Sequence, residues 1–229
     1  MADLVHFCLL ADRSASMLTD DAIGSLNLTL DRVLNVLATD PLINYHARVG
    51  VISFSTGARV ERPFATPKAH GAPHTLTAGG WTDLTAGLDL ARAELAREVD
   101  ECIRSGGRPK APVLFVLTDG RPTPMPHGRP WQQALADLPA GFRPELRPHV
   151  LAFGMGDADR DVLREIAKSP VGLGSYIVDR GIDASAAIAS FGEMFLQTVF
   201  LTITAAAATR PPNPPPGIEE LAWRDEDLP

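Results

Sequence analysis

The chain is poor in cysteine and in aromatics and has no dense run of positive charge, and these shortages close off several classes of protein. Only two of its 229 residues are cysteine, Cys8 and Cys102, and no C-x-x-C pair occurs. A multi-disulfide scaffold and a C-x-x-C zinc or redox motif are thereby excluded, and a single Cys8–Cys102 disulfide is the alternative to two free thiols. Cys8 lies inside an apolar run and Cys102 near the end of a helical pattern, so both are expected as buried, reduced thiols. Lys and Arg number 21 against 28 Asp and Glu, for a net charge of −7. The arginines are scattered among acids, so no nucleic-acid footprint is expected. No apolar run approaches the roughly 20 residues of a membrane span, and Met1-Ala2-Asp3-Leu4 has no basic region ahead of an apolar stretch. Neither a signal peptide nor a membrane partner is expected, and the expected location is cytoplasmic. There is no Gly-x-Ser-x-Gly elbow and no Gly-x-x-x-x-Gly-Lys-Ser/Thr loop, which argues against serine hydrolysis and against nucleotide hydrolysis by this chain.

What is present suits one compact α/β domain. Hydrophobic residues make up 45% of the chain, enough for a single substantial core at this length. Apolar runs of strand length alternate with segments of helical period, the signature of βα units. Residues 5–11 read as a central strand, apolar nearly throughout and so suited to burial on both faces. Residues 21–38 read as a helix, with Ile23, Leu26, Leu30, Val33, Leu34 and Leu37 on one face. Residues 48–54 and 58–63 flank Ser55-Thr56-Gly57 and predict a hairpin. Further helices are expected over 82–103, 131–138, 160–168 and 184–199, and strands over 113–117, 149–154 and 175–178. The expected fold is doubly wound, with a mostly parallel central sheet, one antiparallel edge strand and helices on both faces.

Composition changes after Thr209. Arg210-Pro211-Pro212-Asn213-Pro214-Pro215-Pro216-Gly217 cannot continue a helix and favours an extended spacer. The acidic residues behind it, with Ile218, Leu221 and Trp223 as possible anchors, are open to two readings, a disordered tail or a docking segment.

The chemistry concentrates where the first apolar run ends. Asp12-Arg13-Ser14-Ala15-Ser16 places one carboxylate and two hydroxyls at alternate positions, an oxygen donor set suited to Mg²⁺ or Mn²⁺. Two later loops can complete the site, Gly79-Gly80-Trp81-Thr82-Asp83 and Leu117-Thr118-Asp119-Gly120. In open α/β sheets ligands gather outside the carboxyl ends of strands, where the strand order reverses. If the strands before Asp12 and Asp119 are neighbours, the two carboxylates meet over that crevice. A proton or cation must then lie between them.

Asp12, Ser14, Ser16, Thr82 and Asp119 match, in order, the metal-ion-dependent adhesion site of von Willebrand factor A domains, which the chain resembles over about residues 5–199. Within that superfamily, the run Leu117-Thr118-Asp119-Gly120-Arg121-Pro122-Thr123, with Trp131 shortly after and Gly79-Gly80-Trp81-Thr82 before, is most similar to bacterial TerY-type proteins of tellurite resistance and stress response. The resemblance implies a von Willebrand factor A domain over 1–205 and a Pro-rich, acidic tail over 206–229. It implies that Ser14 and Ser16 contact the metal directly and that Asp12, Thr82 and Asp119 do so directly or through water. The metal would be Mg²⁺, or Mn²⁺ or Ca²⁺ in its place. One position would stay open for an Asp or Glu of a protein partner, completing an octahedral shell at about 2.0–2.1 Å for Mg²⁺. The family usually has a small or hydroxylated residue where Arg13 stands and Gly where Ala15 stands. Arg13 would put positive charge beside the cation, either weakening its binding or meeting an acidic partner. No Cys-rich zinc ribbon follows the domain, so zinc is not implied.

Other readings remain on the page. Ser14 and Ser16 could merely cap a helix, and Asp119 could merely open a turn. Asp20 and Asp21 read as a helix start, as do Asp157, Asp159 and Asp161, because position twelve counted from Asp157 is Lys168 and not the Glu of a Ca²⁺ loop. His70 and His74 share an i,i+4 spacing in a loop where no helix is expected. Trp81 suits either the core or the rim of a binding surface. The leading function is a metal-dependent protein-interaction module, not an enzyme. Two alternatives stand beside it. One is a Mg²⁺-dependent phosphatase with Asp12 as nucleophile, which lacks a second Asp at position 14. The other is a scaffold subunit for an ATPase or for a kinase and phosphatase. A carboxylate of the tail, from Glu219, Glu220, Asp225 or Glu226, could also fill the open metal position of the same or a neighbouring molecule, giving self-association.

Overall fold

In the computed structural model, residues 3–70, 75–124, 128–178, 181–204 and 214–223 are described. Strand β1 (Asp3–Asp12) runs through the middle of the sheet and is buried from Val5 to its end. Its side chains alternate between faces. Val5, Phe7, Leu9 and Ala11 enter one core cluster, and Cys8 and Leu10 enter the other. Two faces to fill explain why the run is apolar without a polar alternation.

The remaining strands are β2 (Ala47–Phe54), β3 (Ala58–Ala65), the two-residue β4 (Arg108–Pro109), β5 (Val113–Thr118), β6 (His149–Gly154), β7 (Gly172–Val178) and β8 (Ile218–Trp223). The order across the sheet is β3-β2-β1-β5-β6-β7-β8, with β4 beside the start of β1. β1 is parallel to β2, β4 and β5, and β6 and β7 continue the parallel set. β3 returns antiparallel along β2 through a turn closed by Ser55 N donating to Gly57 O at 2.8 Å. The sheet is therefore mixed and mostly parallel, as the sequence predicts.

Helices cover both faces. α1 (Ala22–Thr39), α2 (Pro41–His46) and α6 (Ala184–Thr204) bury residues in the first cluster. α3 (Leu84–Arg104), α4 (Trp131–Asp137) and α5 (Arg160–Lys168) bury theirs in the second. α2 was not legible as a helix in the sequence. It is nucleated by Asp40, whose Oδ1 accepts from Leu42 N and Ile43 N, with Pro41 preset for the first turn. α6 is a described helix long and apolar enough to cross a membrane by composition, and half of its apolar window is buried inside the fold. Phe191 and Phe195 supply that burial, against Phe153 and Phe115 of the sheet. Cys8 and Cys102 are both free and buried.

Two differences from the sequence reading have clear causes. β7 begins three residues earlier than expected, at Gly172, because its opening glycines carry no strand-forming side chain. A Cβ at Gly172 would stand 2.2 Å from Ile166 O, so β7 can run this close to α5 only with glycine there. The second difference lies in the C-terminal segment. Residues 218–223 form β8, antiparallel to β7 with Val178 opposite Ile218. Ile218 is buried, and Arg160 at the start of α5 grips both carboxylate oxygens of Glu219 at 2.9 and 2.6 Å. Glu219 is thus turned to Arg160 rather than toward a metal. Asp225 and Glu226 lie outside the described residues.

The path of the chain sets the site. From β1 it passes through α1 to β2 on one side, and from β5 through α4 to β6 on the other. The carboxyl ends of β1 and β5 consequently diverge over a crevice at the point where the strand order reverses.

Candidate metal centre

β1 and β5 are direct neighbours, with Ala11 opposite Leu117. This register puts Asp12 beside Thr118 and just short of Asp119 at the same end of the sheet. Asp12 is fully buried. Its Oδ1 accepts from Ser14 N at 2.8 Å, and its Oδ2 accepts from Thr118 Oγ1 at 2.7 Å. Ser14 Oγ lies 2.9 Å from Ser16 Oγ, and Ser16 Oγ donates to Asp119 Oδ1 at 2.6 Å. A continuous line of oxygens therefore runs from the first loop to the third. Neither serine serves as a helix cap: Ser14 precedes the 3-10 turn Ala15–Asp21 without a side-chain capping bond.

Thr82 completes the convergence. A Cβ placed on Gly120 would lie 3.5 Å from Ser16 Oγ and 3.7 Å from Thr82 Oγ1, so both hydroxyls border the same point above the Asp119 loop. Thr82 is held by its backbone, which accepts from Thr123 N at 2.8 Å. It lies ahead of α3, not inside the helix expected from residue 82, because Asp83 caps that helix through Ala86 N. The first and second loops are tied by Gly79 N to Arg13 O at 2.8 Å and Ala15 N to Gly80 O at 3.1 Å. All five residues singled out in the sequence, Asp12, Ser14, Ser16, Thr82 and Asp119, are brought together.

The electrostatics are those of a pair of carboxylates without a hydrogen-bonded counter-charge among the described residues. Burial pushes the Asp12 carboxyl up against the opposing pull of its hydrogen bonds from Ser14 and Thr118. Burial also raises Asp119 to about 6; the Ser16 hydrogen bond opposes the rise, and the charges of Asp12 and Asp157 add to it. Among the described residues, no Lys, Arg or His hydrogen-bonds to either carboxylate. Arg13 turns away, donating from Nε to Ser53 Oγ at 3.1 Å beside Glu61. Its charge faces the β2–β3 edge and not the crevice. Among the described residues there is also no cluster of three or more His, Cys, Asp and Glu side chains able to hold an ion. Two carboxylates with three hydroxyls fit a hard divalent cation only if hydroxyls and outside ligands fill the shell.

His70 Nε2 lies 2.8 Å from Val49 O; His74 falls outside the described residues. Asp159 caps α5 by accepting from Asp161 N. Asp21 directly precedes α1, in a left-handed conformation and without a capping bond from its side chain. Trp81 is 63% exposed and belongs to the rim. The sequence reading gave no role to Thr118, although it stands in the quoted Leu117-Thr118-Asp119-Gly120 run. No local signal marks it, because Thr118 comes beside Asp12 only through the pairing of β1 with β5.

A model of the von Willebrand factor type A domain matches residues 7–121. No curated protein matches the chain. Among solved structures, the pilus adhesin SpaC of Lactobacillus rhamnosus GG superposes with a TM-score of 0.65 at 16% identity, covering 88% of this chain and 31% of that one. A von Willebrand factor type A protein of Catenulispora acidiphila gives 0.58 at 19%, covering 87% and 43%. Proximal thread matrix protein 1 of the mussel byssus, in a form with a zinc-occupied MIDAS motif, gives 0.57 at 16%, covering 86% and 48%. The chain spans less than half the length of each of these structures, and at such identity the likeness is one of fold.

Proposed function

The chain belongs to the von Willebrand factor type A domain family, often a mediator of protein–protein interaction, and from that premise we propose that it is a non-catalytic module binding a partner's carboxylate through a divalent cation. The observation that carries this reading is the line of oxygens from Asp12 through Ser14 and Ser16 to Asp119, with both carboxyls pushed up by burial and, among the described residues, no cationic side chain hydrogen-bonded to them. Ser14, Ser16 and Thr82 would hold the ion together with Asp12 and Asp119. A bound ion would supply a Lewis-acidic position for one external oxygen. Donors of oxygen alone favour Mg²⁺ or Mn²⁺ over zinc, despite the zinc at the mussel protein's motif. We place the chain with TerY-type proteins of the bacterial cytoplasm on the strength of the Leu117–Thr123 and Gly79–Thr82 runs.

A phosphatase is the poorer reading. Ser14 stands where the second acid of such an enzyme would be needed. Calorimetric titration of Mg²⁺, Mn²⁺ and Zn²⁺ into the wild type and Asp12→Ala tests the proposal. Binding of Mg²⁺ or Mn²⁺ in the wild type, absent from the variant, is expected. A wild type that binds no divalent ion would overturn it.

A further inference from the structure

Two large apolar side chains stand exposed on the loops that carry the site. Leu18 and Trp81 are each 63% exposed. Leu18 is two residues from Ser16, and Trp81 is the residue before Thr82, so each flanks a hydroxyl that borders the same point above Gly120. The two loops are joined by the hydrogen bonds of Arg13 and Ala15 to Gly79 and Gly80, and Trp81 N donates to Thr56 Oγ1 at 3.1 Å. The backbone under Trp81 is thus anchored and the two loops are held together, although neither side chain is covered. Solvating two such groups beside a polar centre costs free energy that a partner can recover.

The opposite side of the site has a different character. From Ser16 and Asp119 an open cleft of about 820 Å³ leads past Asp157, Asp159 and Asp161 toward Ile177 and Val178. The arginines along it are engaged: Arg121 with Asp159 at 3.2 Å, Arg164 with Asp161 at 3.2 Å, and Arg160 with Glu219. Asp157 already acts on Asp119 as a like charge. The chain as a whole carries −7. A polyacidic segment would place its extra carboxylates against Asp157, and among the described residues each arginine lining the cleft already has a carboxylate partner.

We infer that the partner segment presents a single carboxylate beside an aliphatic or aromatic side chain, with that side chain seated on Leu18 and Trp81 and no second acid on the Asp157 side. The inference rests on the metal-dependent reading above and adds its specificity. Ion and carboxylate supply the anchor, Leu18 and Trp81 supply apolar burial at its edge, and Asp157 beside Asp119 disfavours competitors rich in Asp and Glu. The site thereby discriminates an isolated acid in an apolar setting from an acidic tract, the commoner surface feature.

The probe is a phage-displayed library of seven-residue peptides with Glu at the centre and all other positions random, selected on the full chain in Mg²⁺ and in EDTA. The variants are Asp119→Ala and the double substitution Leu18→Ser with Trp81→Ser, whose exposed side chains leave the core untouched. Expected in Mg²⁺ are sequences with Leu, Phe or Trp next to Glu and with Asp and Glu depleted elsewhere, all lost in EDTA and on Asp119→Ala. On the double variant, Mg²⁺-dependent retention should persist while apolar neighbours lose their advantage and the apolar class falls by about tenfold. Enrichment of polyacidic sequences, or an apolar preference unchanged in the double variant, overturns the inference and leaves the metal-dependent reading standing. Absence of any Mg²⁺-dependent enrichment overturns both.

Discussion

Ser16 Oγ donates to Asp119 Oδ1 at 2.6 Å, joining loops 103 residues apart in sequence. That bond is where the end of β1 and the end of β5 become one site. It depends on the two strands being neighbours, and it keeps an exposed hydroxyl directed at a buried carboxylate whose charge has no other neutralising partner among the described residues.

Thr118 does not reach the crevice itself but holds Oδ2 of Asp12 at 2.7 Å. Replacing it with Val keeps the shape and removes the donor. Calorimetry on Thr118→Val should show metal affinity weakened by about 10–100-fold, with little change in melting temperature. An unchanged affinity would show that Asp12 is oriented without Thr118.

Stability of the metal-free protein should carry the signature of Asp119. Its carboxyl titrates at about 6 in the fold against an ordinary value of 3.8. The folded state therefore binds more protons between these values. The contribution of Asp119 is greatest below about 4 and is lost as pH rises through about 6, on the order of 3 kcal/mol in all. His6 opposes this trend, because burial depresses its imidazole to about 4 and its contribution falls as pH drops through that range. The difference between wild type and Asp119→Asn isolates the carboxyl: denaturant melts at pH 5 and pH 7.5 should favour the wild type, relative to the variant, at the lower pH. Saturating Mg²⁺ should raise the wild-type melting temperature at pH 7.5 far more than at pH 5, because protons and metal compete for the same oxygens.

Two glycines beside the site should separate fold from binding. Gly80 has φ +84, and a Cβ there would stand 2.4 Å from Thr56 Oγ1. Gly80→Ala is expected to cost about 1–3 kcal/mol in denaturant unfolding and to weaken metal binding by displacing Thr82. A Cβ at Gly120 makes only ordinary contacts, at 3.5 and 3.7 Å. Gly120→Ala should leave the melting temperature nearly unchanged yet lower metal affinity by crowding Ser16 and Thr82.

The C-terminal strand should matter through its backbone more than through its ion pair. β7 is buried along its whole length, and β8 covers its outer edge. Truncation after residue 213 should lower the melting temperature by several degrees and promote association through the uncovered edge, seen by light scattering. Glu219→Ala breaks only a solvent-exposed pair with Arg160 and should barely shift the melt.

Much of this was legible in the chain itself. Apolar runs at 5–11, 113–117 and 149–154 read as buried strands, and the stripe from Ile23 to Leu37 reads as one face of a helix, because burial imposes its period on the sequence locally. The donor types were equally plain: Asp12, Ser14, Ser16, Thr82 and Asp119 carry hard oxygens whatever the fold. What the sequence could not decide was adjacency. That Thr118 supports Asp12, that Arg13 leans to Ser53 and not into the crevice, and that Trp81 lies on the rim follow from strand order and register, set by hydrogen bonds between segments remote in the chain. The placement of β8 belongs with these. Its six residues follow a proline-rich stretch and carry acids, so no local pattern marks them as sheet; only the open edge of β7, which must pair its backbone groups or leave them to water, draws them in.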